Sequence, residues 1–378
     1  MRGPLERLAV GAGVMLTWVA LTLGVSAQQP APVIPKAGPQ PWPNADALRT
    51  RRLGVESRPL FATHTPLDFT LTANFKMVNR DRNPESTKTF PATLTVLGSS
   101  GTPTTIPVQI RTRGHSRRLV QTCSFAPLRI EFPDGKAAGT VFEGHKNLKL
   151  GTHCRDADLY EEYVPREHAV YRIFNLMTPR SFRARLANAS YVDAETNKTI
   201  QSRQALFLED DDDVARRLEG RADDRQKVTF RMVDSDTITL MTLFEHMIGN
   251  TDASMYVQHN VILVNTPGNV LYPVPYDFDY SGLVNARYAI PSKQLNLTTV
   301  RERAYLGPCR TPAELEPFFD RMRRVKDDVM RVIEETPGLS TGYRKDAQNY
   351  LGKFYDIISK PGDVKKAFVD GCNARAGM

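Results

Sequence analysis

The sequence predicts an α+β fold: a β-rich first half, then a mainly helical second half that carries one small hairpin. Three observations carry that expectation. Between residues 66 and 150, apolar and polar residues alternate in short runs separated by turn residues, which is the period of half-buried strands. From residue 156 onward, apolar residues recur at helical spacing. Inside that helical half, "NVILV" and "VLYPVPY" are joined by "NTPGN", whose Pro-Gly pair marks a turn.

The chain has 378 residues, and its first segment is expected to lie outside the fold. Arg2 and Arg7 precede the apolar run "LAVGAGVMLTWVALTLGV", and Val25, Ser26 and Ala27 lead to a polar start at Gln28. That order is the order of a secretory signal peptide, expected over residues 1–27, with an uncleaved membrane anchor as the alternative. The Pro-rich stretch beginning "QQPAPVIPKAGPQPWP" has no apolar period and reads as an extended linker over residues 28–55. What remains suits one large two-part domain, with a β-rich part over residues 56–205 that includes one helix and a mainly helical part over 206–378. No later apolar run is long enough for a bilayer, so no membrane span is expected after the leader is removed.

The formal net charge is +8, and losing the leader removes two Arg and one Glu. A basic surface suits phosphate-bearing or acidic partners, but the Arg residues are scattered among acids, and nucleic acid is not expected as a partner. The cysteines are Cys123, Cys154, Cys309 and Cys372, none of them in Cys-x-x-Cys spacing, which argues against a zinc ribbon. In an exported chain an even count indicates disulfides. Sequence proximity favours Cys123–Cys154 and Cys309–Cys372, with four buried thiols as the alternative.

In chain order, strands are expected at "LDFTLTANF", "FPATLTVLG", "IPVQIRTRG" and "APLRIEF", with a further one at "NLKLGTHC", forming a twisted antiparallel sheet. The segment "DLYEEYVPREHAVYRIFNLM" places Leu159, Tyr163, Val170, Ile173, Phe174 and Met177 on one helical face, and Pro165 kinks or restarts the helix. "RLANASYVDA" and "SRQALFLED" read as strands. "DTITLMTLFEHMIG" reads as a helix ending at Gly249. The last helical stretch opens with Thr311, Pro312 and Glu314, a capping box with Pro at the first helical position.

The chemistry concentrates around the hairpin. "IGNTDASMYVQHN", residues 248–260, precedes it and "YDFD" follows it. The hairpin is expected to turn near Pro267-Gly268, so that Asn260 faces roughly Val274 and Asp277 lies opposite residues near Val257. Asp252, Asn260, Asp277 and Asp279 would then converge at one end. Oxygen ligands of this kind suit magnesium, which takes few protein oxygens and leaves the rest of its shell to phosphate. Ordinary turns are also made of Asn and Asp, and that reading stands beside the functional one.

"IRTRGHS", "PLRIEF", "ALFLED", "IGNTDASMYVQHN" and "PVPYDFDYSG", in this order over roughly residues 65–330, resemble the spore-coat protein H (CotH) kinase-like family. The resemblance implies an atypical protein-kinase-like two-lobed fold, with a β-rich N-terminal lobe and a mainly α C-terminal lobe with a small metal-site hairpin. It also implies an ATP and magnesium site between the lobes and phosphoryl transfer to protein Ser or Thr. By that resemblance Asp252 is the catalytic carboxylate, and Asn260 and Asp277 are the metal ligands, with Asp279 as the alternative to Asp277. Seven residues separate Asp252 from Asn260, where a kinase loop has about four. Either the loop bulges or Asn260 is not the ligand.

On the nucleotide side, "RTRGHSRR" offers Gly114 and Ser116 flanked by Arg113 and Arg117. The resemblance implies a phosphate-pairing cation on the next strand, for which Arg129 and Lys149 are the candidates, and an Arg can bind phosphate though it cannot give up its charge. Its partner is Glu161, Glu162 or Glu167. Glu209 is expected near the adenine, and the Asp run after it is expected to serve the dipole of the helix "VARRLEG". A non-catalytic envelope or surface binding protein is the competing expectation. No His-Glu-x-x-His occurs, and "DYSGL" lacks the Gly that a nucleophile elbow has before its Ser.

Overall fold

Asn44 begins the first helix, its side chain accepting the Ala47 N–H at 2.8 Å. The structure, a computed structural model, describes residues 40–98, 101–370 and 372. The expected leader and the first part of the expected linker lie outside the described residues. Helix α1 (Ala45–Glu56) corrects the rest of that linker: the Asn cap and the buried Leu48 and Val55, two turns apart, make this stretch helical. From Pro43 onward the described residues form one unit.

A closed barrel follows. Its strands are β1 (Leu67–Ala73), β2 (Phe90–Leu97), β3 (Pro103–Thr112), β4 (Leu128–Glu131), β5 (Asn147–Gly151), β6 (Ala184–Asp193) and β7 (Thr199–Leu208), in the order β1-β2-β3-β4-β5-β7-β6. A short helix, α2 (Phe75–Val78), follows β1, and α3 (Asp158–Glu161) and α4 (Tyr163–Met177) lie between β5 and β6. Alternation puts Leu71, Leu94, Ile106, Ile130 and Phe207 into one apolar interior. The barrel closes because β1 pairs in parallel with β6, Leu67 opposite Ala187 through Ala73 opposite Asp193. All other neighbours are antiparallel.

This overturns the two-lobed kinase-like fold expected from the motifs. The first part is a closed seven-stranded mixed barrel, not an antiparallel sheet forming an N-terminal lobe. The boundary expected between residues 205 and 206 falls inside β7, which seals the barrel against β5 and β6. Closure removes the free edges that an open sheet would leave.

The rest of the chain packs as α5 (Asp211–Arg217), β8 (Arg221–Asp223), α6 (Ser235–Ile248), β9 (Val261–Thr266), β10 (Val270–Pro275), α7 (Pro312–Arg324), α8 (Lys326–Glu335), α9 (Thr341–Ile358) and α10 (Pro361–Val364). The hairpin β9–β10 gains β8 as a third strand. Pro165 stands in the first turn of α4, where it restarts the helix after α3. Helix α6 is buried almost all round, and Phe244 stacks on Phe174 of α4 at 4.3 Å. It ends at Gly249, which is left-handed at φ 68° and donates to the Glu245 carbonyl. The capping box at Thr311 and Glu314 forms as expected.

Both expected disulfides are present, Cys123–Cys154 and Cys309–Cys372. Among the described residues no helix is long and apolar enough to cross a membrane.

Candidate functional site: an acidic and basic cavity at the hairpin end

The hairpin turn is a three-residue loop, Pro267 to Asn269, with Gly268 and Asn269 both left-handed. That extra residue slides the register by two from the expected one. Val261 faces Pro275, and the Asn260 carbonyl accepts the Tyr276 N–H at 2.9 Å. The convergence survives the slip: Asp277 lies one residue beyond this pair.

The loop before β9 does bulge. Ser254 and His259 exchange two backbone hydrogen bonds at 2.8 Å, closing Met255–Gln258 into a small loop of its own. This folds Asn260 back onto Asp252, so that Asn260 Nδ2 donates to the Asp252 carbonyl and to Oδ2, both at 3.0 Å. His259 Nε2 stands 3.4 Å from the other carboxylate oxygen. That contact raises the His259 pKa. Asn250 Oδ1 accepts the Asp252 N–H at 3.1 Å. The Asp252 carboxylate is therefore aimed by two neighbours, Asn260 and His259, while Asn250 fixes its backbone.

Asn260 and Asp277 are both left-handed, at φ 56° and 63°. A non-Gly residue adopts this conformation at a cost of about 1 kcal/mol, which the surroundings must offset. Tyr171, fully buried on α4, does so for Asp277 by accepting its backbone N–H at 2.8 Å.

A cavity of about 320 Å³ opens here. From the β3–β4 connection it takes Arg113, Gly114, Ser116 and Arg117, and from the hairpin side Asp252, Asn260, Asp277 and Asp279. These eight residues, all singled out in the sequence, thus line one cavity. Gly114 is there for its backbone, φ 86°, since a Cβ would meet nothing within 4 Å. Arg113 has no ion-pair partner among the described residues.

Asp279 differs from Asp277. It is buried and takes the Arg117 guanidinium at 3.2 Å, while Glu167 of α4 stands 3.8 Å from the same Nη1. Burial works against the Arg117 cation, but Tyr288, Asp279 and Glu167 outweigh it and push its pKa well up. Burial, and then the charge of Asp279, raise the carboxyl pKa of Glu167; Asp279 is raised by burial and then by Asp277. The two acids thus face one cation. Asp277, by contrast, has a half-buried carboxylate that no described residue bonds or pairs with.

Three expected site residues lie elsewhere. Lys149 is buried in β5, paired with Asp211 and lying over the rings of Phe182 and Tyr276 at 4.8 and 4.3 Å. Arg129 pairs with Asp210 at 2.9 Å. Glu209 is fully buried between Arg183 and Arg217, at 2.9 and 3.0 Å, so its carboxylate is spent on two guanidinium groups. The Asp run therefore does more than serve a helix dipole: Asp213 also pairs with Arg58.

Arg117 and Glu167 were only flanking or alternative candidates in the sequence. Helical phase singles out Glu167, because it lies one turn before Tyr171 on the buried face of α4. No comparable signal separates Arg117 from its Arg neighbours.

Among the described residues no three His, Cys, Asp or Glu side chains are grouped to hold a metal. Magnesium does not demand such a cage, since one or two carboxylates with phosphate and water suffice. The donor set present fits that mode: Asp277 has an uncommitted carboxylate, and Asn260, whose Nδ2 is spent on Asp252, keeps its Oδ1. Compared with known proteins, the chain matches no protein-family profile and no curated protein.

Proposed function

We propose that this exported protein binds magnesium-ATP in the cavity at the hairpin end and transfers the terminal phosphoryl group to a protein Ser or Thr hydroxyl. One observation carries the reading. The unpaired Arg113 with the left-handed Gly114, and the set Asp252, Asn260 and Asp277, come from distant parts of the chain and line one cavity. The motif resemblance to the CotH kinase-like family supports the chemistry, although the barrel is not that family's expected fold. Export follows from the leader expected over residues 1–27, and the two disulfides suit an oxidising compartment.

In this mechanism Asp252 orients the acceptor hydroxyl and takes its proton as the oxygen bonds to the terminal phosphorus and the bond to the ADP oxygen breaks. Asn260 Nδ2 and His259 fix the carboxylate that does this. Asp277 and Asn260 Oδ1 would hold magnesium, which supplies charge neutralisation between the phosphates. Arg113 and the Ser116 hydroxyl meet the phosphate oxygens. Arg117 acts at one remove, by holding Asp279 and with it the turn that presents Asp277.

The burial of Lys149 in a pair with Asp211 favours a second reading, a non-catalytic envelope or surface protein that uses the cavity for binding alone. Transfer of radiolabelled phosphate from ATP to dephosphorylated casein separates the two. Transfer that falls at least about a hundredfold in Asp252→Asn, with ATP binding retained, is the expected result. ATP binding without transfer in the parent chain establishes the second reading instead.

A further inference from the structure

A second concavity, of about 730 Å³, lies apart from the hairpin-end cavity. It sits where the end of α6 meets the segment Arg303–Leu306 and the C-terminal helices, and its volume is that of a small-molecule site. Leu295, Leu306 and Ile357 give it apolar walls. The chain after α10 winds as a π-helix, Lys365–Val369, with the Asp370 N–H reaching the Lys365 carbonyl at 2.9 Å. Such widened turns are rare and concentrate at functional positions. This one brings Lys366 and Ala367 to the groove.

Basic side chains, Arg303, Lys366 and His246, outnumber the one carboxylate that lines it, Asp363. Arg303 spends Nε and Nη2 on the carbonyls of Met247 and Tyr350 and lies on the Tyr350 ring at 3.7 Å, yet among the described residues no carboxylate pairs with it. Burial, and then the nearby Arg301, lower its pKa. A largely sequestered cation without a counter-ion is costly, and proteins ordinarily pair it. His246 is 4 % exposed and packs on Phe368 at 4.7 Å, with Nδ1 sealed in protein and without a partner. Burial keeps this ring neutral, its pKa pulled down to about 3. An orphaned acceptor is cheaper than an orphaned donor, which favours the proton on Nε2, the ring nitrogen that is not sealed in protein.

We propose that this groove binds a small amphipathic monoanion, a carboxylate on an apolar body. The head group is taken by Arg303, Lys366 and the His246 Nε2–H, and the body lies against Leu295, Leu306 and Ile357. Asp363, which also lines the groove, disfavours a polyanion such as a nucleoside triphosphate. This site stands independently of the function proposed for the hairpin-end cavity.

The test is calorimetric titration of sodium decanoate into the full chain, beside decylamine, which carries the same tail and the opposite charge. Two surface variants accompany it: Lys366→Glu, and Ala367→Trp, whose indole fills the groove. The expected result is saturable one-to-one binding of decanoate and none of decylamine. Lys366→Glu is expected to weaken binding at least about tenfold, and Ala367→Trp to abolish it. Thermal unfolding checks that both variants fold, and if Ala367→Trp does not, Lys366→Glu decides. The inference is overturned by absence of saturable binding, by equal binding of the amine, or by affinity unchanged in the folded variants.

Discussion

Arg117 and Asp279 form a buried ion pair at 3.2 Å across 162 residues of sequence, and Glu167 stands 3.8 Å from the same guanidinium nitrogen. The pair joins the β3–β4 connection to the turn that follows β10. It therefore fixes how the phosphate-facing loop meets Asp277, two residues before Asp279. Breaking it strands two buried acids.

Arg117→Met should cost about 3 kcal/mol or more, because removing one partner leaves the others buried without compensation. Arg117→Met combined with Asp279→Asn and Glu167→Gln should recover much of that loss, since no charge is then left alone. Urea unfolding of the single and triple variants measures both effects. Equal losses in the two would mean that packing, and not the ion pair, is what the site needs.

Glu245 on α6 gives a pH prediction. Both its oxygens are buried, with the Asn250 side chain beside them, close to Ile238, Met241 and Met255 in a small cavity of about 50 Å³. Burial raises its pKa from the ordinary 4.5 to about 8. The folded chain keeps this proton while the unfolded chain releases it. The stabilisation is therefore full below about pH 4.5 and is lost as the pH rises through about 8, at ~1.4 kcal/mol per pH unit. Glu245→Gln removes that slope. Its stability relative to the parent should improve steadily between about pH 5 and about pH 8; a difference that does not change with pH would contradict the assignment.

Gly249 turns the chain from α6 into the loop that carries Asp252. Its φ of 68° disfavours any side chain, and a Cβ would stand 2.1 Å from the Tyr350 hydroxyl. Gly249→Ala should lose more than about 1 kcal/mol, the backbone term alone. Gly114→Ala, where a Cβ meets nothing, should lose only the backbone term. Thermal unfolding midpoints compare the two, and the larger drop is expected at Gly249.

What could be read from the sequence was local. Strands β1 to β7, the restart at Pro165, the Gly249 stop and the Thr311 capping box each follow from periodicity or end chemistry within a few residues. The disulfide pairing followed from proximity along the chain. Barrel closure did not, because alternation is the same in an open sheet and a closed one. What closes it is the pairing of Leu67 with Ala187, contacts about which neither strand carries a local mark. The hairpin slip has a similar origin: whether Asn269 belongs to the turn or to the strand is decided by its left-handed backbone.

The site was legible in the same uneven way. Asp252, Asn260 and Asp277 flank a recognisable hairpin, so topology alone brings them together. Lys149 sits between Leu148 and Leu150, and all three are buried, so alternation gave no sign of which way it turns. Its true partner, Asp211, belongs to an acidic run that reads as solvated surface. Glu209 follows a strand and precedes that run, and only the barrel shows that Arg183 and Arg217 enclose it.

The central claim is that the uncommitted Asp277 carboxylate and Asn260 make the hairpin end a magnesium-dependent phosphate site. Calorimetric titration of ATP into the chain, with and without magnesium, beside Asp277→Asn, tests it most directly. Binding that requires magnesium in the parent and is lost in a folded Asp277→Asn variant is the predicted result. Equal ATP affinity in parent and variant, or no binding in either, would contradict it and leave "GNTD" and "YDFD" as turns of the fold.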